Sequence, residues 1–505
     1  PGRRAAVAAQ ARRADAAAKR RLADAAGAPG DGAAGEAFAE AAASLAHRRL
    51  FFAARAKPVK ERLHRHVKDY SVPVEQTCRN WHLDGSVFSP RPGECDAQGY
   101  YDLTPVMQAR RLKLDWNRSF RRRFANWLVQ LPPSSEEPAE RSRKVMAVFE
   151  KHIDLVWKAH RYYSAISLLL TESTYFVKLN ELRAFYQDCG IADKSSQRCK
   201  LAHLDQITKA INYEDHEHTG KQNDHNPDHE ITRFEWLELL IRVAWAKYGP
   251  DDKGTVSRTV DEALTILLEV NLVGKLPMEA REDPNVFRRE LLYKRDIDNL
   301  LYHHLDILKA WYKFYSPRAG PLRGSMRMPG FYNFLKHAGL LTAVGGDRQG
   351  SPERSERRRS SVMPTNKTAR TVSMRDCKLA YVHAQMNVID ELRGIHHLKV
   401  LTFVEFMEAL CRVADLLKLP AEPDEPTFAP GTYPERLGGP PLCEVVAPDS
   451  TSPLTKHLWR ALQLAMRTLM HHAGEKDEAS LQRAFQYAVA NGSHPLHTRL
   501  GNLEV

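Results

Sequence analysis

The sequence predicts an all-α fold made of two tandem copies of one helical module. The stretch Arg198–His203 reads Arg-Cys-Lys-Leu-Ala-His and returns as Asp-Cys-Lys-Leu-Ala-Tyr at Asp376–Tyr381. A longer stretch, Ile231–Ala244, follows the first and has its counterpart in Leu401–Ala414. Because the matching stretches keep their order, we interpret them as a duplicated module. Apolar residues at every third or fourth position in both copies are typical of helices.

Two segments precede the first copy. Residues 1–70 are rich in Ala and Arg and hold few large apolar side chains, so we expect a basic helical extension that is partly disordered. Residues 71–139 begin with an irregular segment rich in Pro, Gly and Ser. They continue into a basic amphipathic helix over Leu103–Leu131, which Pro132 and Pro133 are expected to end.

Repeat one covers residues 140–250 and is predicted to contain four helices. Apolar side chains spaced three and four residues apart define each helix, and Gly190 is expected to cap the second one. The four predicted helices are Ser142–Leu170, Leu179–Cys189, Leu201–Ile211 and Arg233–Lys247.

The second half of the chain repeats this plan with additions. A helical bridge, residues 251–297, leads to repeat two at residues 298–419. Repeat two carries an insertion, residues 345–373, that is dense in Ser, Arg and Pro and is expected to be disordered. A Pro-rich linker, residues 420–453, follows. Residues 454–505 are predicted to be a helical hairpin and are a candidate for a partial third repeat.

Composition restricts the kinds of partner and compartment. The net charge of +12 and the sequence pI near 9.3 favour acidic partners, such as nucleic acid, an anionic membrane surface or acidic protein tails. No apolar run approaches the length of a membrane helix, so we expect no transmembrane segment. Seven scattered cysteines without a Cys-x-x-Cys pair indicate reduced thiols and a cytoplasmic protein. Cys199 and Cys377, at equivalent repeat positions, are expected to be small buried side chains.

The sequence contains none of the common catalytic motifs. A phosphate-binding loop, a nucleophile elbow, a His-Glu-x-x-His zinc motif and a dinucleotide-binding turn are all missing. We therefore expect a non-enzymatic protein with no cofactor, apart from a candidate calcium site.

That candidate lies at the end of repeat one, where Ile231–Leu240 fits the second half of an EF-hand and counting back places the loop at residues 224–235. The frame places oxygen ligands at loop positions 1, 3, 5 and 12 and a hydrophobic residue, Ile231, at position 8. The candidate calcium ligands are Asp224, Asn226, Asp228, Glu230 and Glu235.

A ligand-free, EF-hand-like helix pair held together by packing is the alternative for this loop. His229 stands where calcium loops carry Gly, and the segment before the loop is polar. In repeat two the loop positions counted back from Leu401 and Glu405 are Gly394, His396 and Leu398, which supply no calcium ligands. The fold prediction is therefore two tandem EF-hand-like modules behind a basic helical N-terminal extension.

The basic amphipathic helix is a candidate partner-binding surface. Four aromatic side chains share one face and arginines cover the rest, a pattern that can dock on a calmodulin-like protein, a membrane surface or an acidic lattice. The alternative is that the aromatic face packs onto repeat one. The candidate residues are Arg110, Arg111, Trp116, Arg118, Phe120, Arg121, Arg122, Arg123, Phe124 and Trp127.

Ser360 and Ser361 are candidate phosphorylation sites in the insertion. Arg358 and Arg359 precede Ser361 at the positions that basophilic kinases read. A phosphate here would reduce the positive charge of the segment and weaken its hold on an anionic partner. An unmodified loop is the alternative.

The repeats resemble the tubulin polymerisation-promoting protein family. The resemblance rests on Phe185–Asp193, Leu204–Ile207 and Ile231–Leu240, and it covers residues 175–248 and, more weakly, 325–415. It implies a degenerate EF-hand-like helical core and a microtubule-associated, non-enzymatic role.

We therefore expect a structural or adaptor protein of the microtubule cytoskeleton, in a cilium or flagellum, that binds acidic tubulin surfaces through clustered Arg and Lys. A calcium-responsive EF-hand switch is the first alternative. A basic nucleic-acid-binding protein is the second, supported by the Arg/aromatic helix alone.

Overall fold

The computed structural model describes most of the chain from residue 81 onward, and its described residues are 71% helix and 4% strand. The all-α prediction is therefore confirmed. No helix in this part of the chain combines the length and apolarity needed to cross a membrane. The N-terminal extension predicted for residues 1–70 lies outside the described residues. The described ranges are 81–102, 104–120, 122–132, 136–167, 174–196, 198–212, 230–250, 258–318, 322–341, 372–417, 419, 453–491 and 495–501.

The segment before repeat one is irregular at first and then helical. A 3-10 turn, Leu83–Gly85, and the short helix α1, Arg91–Glu94, precede helices α2, Pro105–Ser119, and α3, Arg122–Val129. The single helix predicted for Leu103–Leu131 is thus broken near Phe120. The Ser119 hydroxyl donates to the Asp115 carbonyl at 3.1 Å, a bond that bends helices.

Repeat one forms two helix–strand–helix units joined through their strands. Strand β1 lies antiparallel to β2, with Val177 opposite Ile231 and Lys178 opposite Glu230. The four predicted helices are present, although α4 ends at Ala165 and not at Leu170. The elements are α4 Pro138–Ala165, β1 Val177–Lys178, α5 Leu179–Asp188, α6 Leu201–Asn212, β2 Glu230–Ile231 and α7 Arg233–Tyr248.

Gly190 follows α5 with a φ of +60°, as expected for a helix cap. Cys199 and Cys377 are both fully buried, which confirms the role expected from their equivalent positions.

The bridge is divided between the two repeats. Helix α8, Val260–Ile266, continues as a π-helical stretch, Leu267–Val273, and both pack into the core of repeat one. Helix α9, Pro284–Phe287, a second π-helical stretch, Arg288–Leu292, and α10, Arg295–His303, belong to the core of repeat two.

Repeat two has the same plan as repeat one. Strand β3 lies antiparallel to β4, with Met326 opposite Leu401 and Arg327 opposite Val400. Val372 and Ser373, predicted as the end of the insertion, belong to the fold, since Ser373 caps α13. The elements are α11 Leu305–Tyr315, β3 Met326–Arg327, α12 Met328–His337, α13 Met374–Ala384, α14 Ile395–Leu398, β4 Val400–Leu401 and α15 Phe403–Leu417.

The C-terminal residues form three helices packed on repeat two. These are α16, Pro453–Ala473, α17, Glu478–Ala490, and α18, Pro495–Gly501. Their described residues contain no ladder strand, so they differ from the helix–strand–helix plan of the repeats. Their apolar side chains join the core of repeat two.

Two hydrophobic cores result, and the segment before repeat one touches both. Phe88 is buried in the core of repeat two, whereas Trp116 and Phe124, further along the chain, are buried in the core of repeat one. Residues 81–132, which precede both repeats in the chain, therefore connect the two repeats by packing into both cores.

Candidate functional site

The candidate calcium ligands are only partly described. Asp224, Asn226 and Asp228 lie outside the described residues. Glu230 lies on β2, and its Oε1 is 3.1 Å from the Nζ of Lys178 on the paired strand. Among the described residues no group of three or more His, Cys, Asp or Glu side chains is arranged to hold a metal ion.

Glu235, the last candidate ligand, caps the helix that follows it. Its Oε2 accepts hydrogen bonds from the Thr232 backbone N–H at 3.0 Å and from the Thr232 hydroxyl at 2.8 Å. The Thr232 hydroxyl in turn accepts from the Glu235 N–H, which completes a capping box at the start of α7. In this arrangement Glu235 stabilises a helix start.

Glu405, at the equivalent position of repeat two, makes the same kind of contact. One carboxylate oxygen accepts from the Thr402 N–H at 2.9 Å and the other from the Met386 N–H at 2.8 Å. Burial raises the pKa of Glu405 to about 7. The final loop position of both repeats thus connects a loop to the helix after it through backbone hydrogen bonds.

The segment Gln385–Gly394, called the junction loop below, connects α13 to α14 and lies against repeat one. Carboxylates from separate parts of the chain hold its backbone. Asp102 accepts from the Asn387 N–H at 2.9 Å, and Asp96 accepts from the Ile389 N–H at 2.8 Å. The junction loop is therefore fixed by the segment before repeat one as well as by Glu405.

Arg233, at the start of α7, connects this loop to repeat one. Its guanidinium contacts both carboxylate oxygens of Asp115, at 2.6 and 2.8 Å, and it donates to the carbonyls of Val388 and Ile389. The backbone N–H of Arg233 donates to the Glu391 carboxylate at 3.1 Å. Burial raises the pKa of Glu391 to about 7, although the nearby guanidinium opposes that shift.

A second buried cluster surrounds Glu408 on α15. Three guanidinium groups approach its carboxylate, those of Arg91 at 2.6 Å, Arg288 at 3.1 Å and Arg412 at 2.8 Å. Burial alone would raise the pKa of Glu408, but these cations lower it to about 2. The cluster joins α1, the bridge and repeat two.

Arg288 also closes the end of a helix. Its Nη2 donates to the carbonyls of His383 at 3.1 Å and Ala384 at 3.2 Å, at the C-terminus of α13, where a cation is favoured. The Arg161 guanidinium, from repeat one, donates to the carbonyls of Val382 and Gln385 at the same helix end. This helix end is therefore a point of contact between the two repeats.

A small cavity lies beside these contacts. It measures about 20 Å³ and is lined by residues that include Asp102, Arg111, Arg161 and His383. Asp102 Oδ1 and the Nε and Nη1 of Arg111 are buried without a hydrogen-bond partner among the described residues. A space of this size holds about one water molecule, which can bridge such groups.

The aromatic face of the candidate partner-binding helix lies in the core of repeat one. Trp116 and Phe124 are buried, and Phe120 and Trp127 pack against the same core while partly exposed. The Arg242 guanidinium sits 4.5 Å from the Trp127 ring centre. The aromatic residues therefore follow the alternative interpretation, in which the aromatic face packs onto repeat one.

The arginines of this segment have different environments. Arg111 is buried against Trp157, with 4.2 Å between its guanidinium and the ring centre. Arg118 donates to Asp390 of the junction loop at 2.7 Å. Arg110 and Arg123 are exposed. Arg121 and the side chain of Arg122 lie outside the described residues. Internal contacts therefore engage Arg111 and Arg118, whereas Arg110 and Arg123 keep exposed side chains.

Ser360 and Ser361 lie outside the described residues, but the positions flanking their segment are described. Leu341 and Val372 form a β-bridge, and the Val372 N–H donates to the Leu340 carbonyl at 3.1 Å. The described residues on either side of 342–371 are therefore neighbours.

Comparison of the chain with protein-family models, with curated proteins and with solved structures finds no match.

Sequence reasoning missed the two buried charge clusters. One signal for them was present in the repeat itself, because Glu238 and Arg242 of repeat one align with Glu408 and Arg412 of repeat two. Both pairs form ion pairs four residues apart, at 2.7 and 2.8 Å. The third partners, Arg91 and Arg288, come from segments that the repeat does not contain.

Replacing Glu408 by Gln should lower the free energy of unfolding by about 3 kcal/mol or more, because three buried guanidinium groups lose their shared carboxylate. The matched change, Glu238→Gln, removes a carboxylate that pairs with the Arg242 guanidinium at 2.7 Å and should cost about 1 kcal/mol. Urea unfolding followed by circular dichroism measures both. Equal losses would mean that the Glu408 cluster contributes no more than the single ion pair.

Glu391 and Glu405 should each make a contribution to the stability of the fold that falls as the pH rises toward 7. The pKa of Glu391 and that of Glu405 are both raised to about 7, so the folded state binds these protons more tightly than the unfolded chain does. This contribution to stability is fully present below the ordinary glutamate pKa of about 4.3 and is lost as the pH passes 7. Urea unfolding at a series of pH values measures it.

The variant Glu405→Gln removes one of the two titrating groups. The unfolding free energy of the parent minus that of the variant should fall between about pH 5 and pH 8, because only the parent loses the contribution of Glu405. The same pH dependence in both proteins would show that Glu405 does not titrate in this range.

Proposed function

We propose that this protein is a non-enzymatic structural or adaptor protein of the microtubule cytoskeleton, in a cilium or flagellum. In this proposal two tandem EF-hand-like modules form a body that keeps its shape without metal, and basic segments outside that body bind acidic tubulin surfaces. The sequence resemblance to the tubulin polymerisation-promoting protein family supports the choice of partner.

The strand pairing supports the EF-hand-like assignment. Ile231 and Leu401 occupy loop position 8 in the sequence frame, and both are strand residues paired antiparallel with a second strand. Their partners, Val177 and Met326, each precede a helix in the same way. This pairing supports a plan of two paired hands in each repeat, of which the second is the one that the sequence frame proposes.

The carboxylate contacts support a metal-independent body. Glu235 and Glu405, at loop position 12, bind backbone N–H groups of their own loops, and Glu230 pairs with Lys178. Calcium would have to compete with these hydrogen bonds for the same oxygens.

The distribution of charge is the observation that carries the proposal. Residues 1–80 hold 16 Arg and Lys against 8 Asp and Glu, and residues 342–371 hold 7 against 3. These two segments account for the whole net charge of +12, because the rest of the chain holds 51 basic and 51 acidic residues. Attraction to an acidic lattice is therefore assigned to these segments, and not to the helix that carries Trp116.

Deleting residues 342–371 tests this assignment. Leu341 and Val372 are neighbours, so a short Gly/Ser connection can replace the segment without pulling on the fold. The deletion removes a net charge of +4 and should weaken microtubule co-sedimentation several-fold, with a shallower dependence on salt. As a matched control, a replacement segment of equal length that keeps every Arg and Lys but shuffles the order should bind like the parent.

Co-sedimentation of the intact chain across a salt series is the first measurement. Binding that fades with salt and is the same in calcium and in chelator is expected. No pelleting at low salt would contradict the microtubule assignment. Tight, salt-dependent binding to duplex DNA in its place would favour the nucleic-acid alternative.

A calcium-responsive switch is the second candidate function, favoured by the Asp224, Asn226 and Asp228 frame that precedes Glu235. Under the main proposal, titration calorimetry of the intact chain should give no heat at millimolar calcium, because Glu235 is engaged as a helix cap. Binding of one calcium ion would establish the switch and contradict the main proposal, provided that Asp228→Ala abolishes the binding and Asp193→Ala preserves it. Asp193 is the control because it is an acidic residue of repeat one whose carboxylate bonds Ser195, outside the candidate loop.

A further inference from the structure

We propose that residues 453–501, called the C-terminal unit below, bind repeat two as a tethered ligand, and that the same unit of a second copy of this chain can take their place. The unit comprises α16, α17 and α18. Its linker, the polarity of its contact surface and the spacing of its apolar residues support this proposal.

The C-terminal unit covers repeat two with a regular apolar stripe. Leu458, Leu462, Met466 and Leu469 follow one another on α16 at intervals of three and four residues and are all buried. Such a stripe is how an amphipathic helix docks in a groove of another protein. The groove is formed by α10, α11, α12 and α15, each of which contacts α16 or α17.

Contacts at the centre of this surface are apolar and close. The Phe485 ring of α17 meets the Phe314 ring of α11 edge-on at 4.9 Å. Gly339, after α12, has no side chain where α16 passes, and a Cβ there would lie 3.2 Å from the Thr468 hydroxyl oxygen. The fit is therefore specific to the shapes of both sides.

Polar contacts surround the apolar centre. His304 Nδ1 lies 3.2 Å from Glu478 Oε1, and the Arg318 guanidinium donates to the Ala488 carbonyl at 2.7 Å. The Thr455 hydroxyl donates to Asp296 at another edge. An apolar centre with a polar rim is the anatomy of an interface between separate proteins.

The linker is much longer than this docking requires. The Arg460 guanidinium donates to the Leu419 carbonyl, and the helix from Pro453 to Arg460 rises only about 10 Å. A few residues would span that distance, whereas residues 420–452 number 33 and could reach about 110 Å when fully extended. A connection of this length is long enough for the C-terminal unit to reach the same groove on a neighbouring molecule.

The contact surface is the same whether the C-terminal unit belongs to its own chain or to a second copy. The tether favours the unit of the same chain at low protein concentration. Copies packed side by side on a lattice raise the local concentration toward the range where units exchange between chains. Exchange would then link neighbouring molecules to one another.

Cutting the linker tests whether the C-terminal unit is a ligand. A site for a specific protease is placed within residues 420–452 of the full chain, and two preparations are made. One carries an affinity tag at its N-terminus. The other, called the heavy preparation, is labelled with ¹⁵N, so its fragments are heavier. Both are cut and mixed. The tagged bodies are then recovered, and mass spectrometry identifies the C-terminal fragments that come with them.

The expected result is that the fragments stay bound after cutting and that heavy fragments appear on tagged bodies in the proportion in which the preparations were mixed. Fragments that leave the body on cutting would overturn the proposal, as would fragments that stay bound but never exchange. The microtubule proposal is tested separately and does not depend on this result.

Two neighbouring residues of α17 provide the variants. In the heavy preparation Phe485→Asp places a charge at the apolar centre and should reduce the recovered heavy fragment at least about tenfold. Gln486→Asp places the same charge at an exposed position and should leave recovery unchanged. Equal recovery of both variants would show that the apolar centre of the contact does not hold the unit.

Discussion

The arrangement of the two repeats depends on arginine side chains that lie between them. Arg233 joins α7 of repeat one to the junction loop of repeat two, and Arg161 on α4 of repeat one donates to the carbonyls of Val382 and Gln385 at the end of α13. A guanidinium group cannot give up its charge at any ordinary pH, so each must keep its carboxylate and carbonyl partners. These requirements fix how the repeats meet.

Such contacts determine orientation more than they add stability. Removing two ions from water costs several kcal/mol, and the attraction between them recovers this only when the geometry is right. Apolar side chains tolerate small shifts, but Arg233 contacts Asp115, Val388 and Ile389 only in one arrangement. Where hydrophobic packing would allow the repeats to slide, the charged contacts select one position.

Much of the helical plan could be predicted from the sequence. The repeat identified the helices around Cys199 and Cys377, and the frame around Ile231 and Leu401 identified residues that the structure places in paired strands. These features depend on residues close together in the chain, which is why local spacing reveals them.

The charged contacts could not be predicted, because their partners are far apart in sequence. Arg91 and Glu408, or Asp102 and Asn387, meet only after the segment before repeat one has folded back over repeat two. The same difficulty explains the helix that carries Trp116. A row of aromatic residues flanked by arginines has the same pattern whether it faces a partner or the protein's own core, and only the position of repeat one decides between them.

The meeting of Leu341 and Val372 has a consequence for how such a chain can change. A segment whose two ends are neighbours can become longer or shorter, or be replaced, with little effect on the helices around it, since loop closure becomes only slightly less favourable with each added residue. The segment between Leu341 and Val372 can therefore change in length and charge during evolution while the two cores stay constant. It is equally a place where a fluorescent reporter could be built into the molecule.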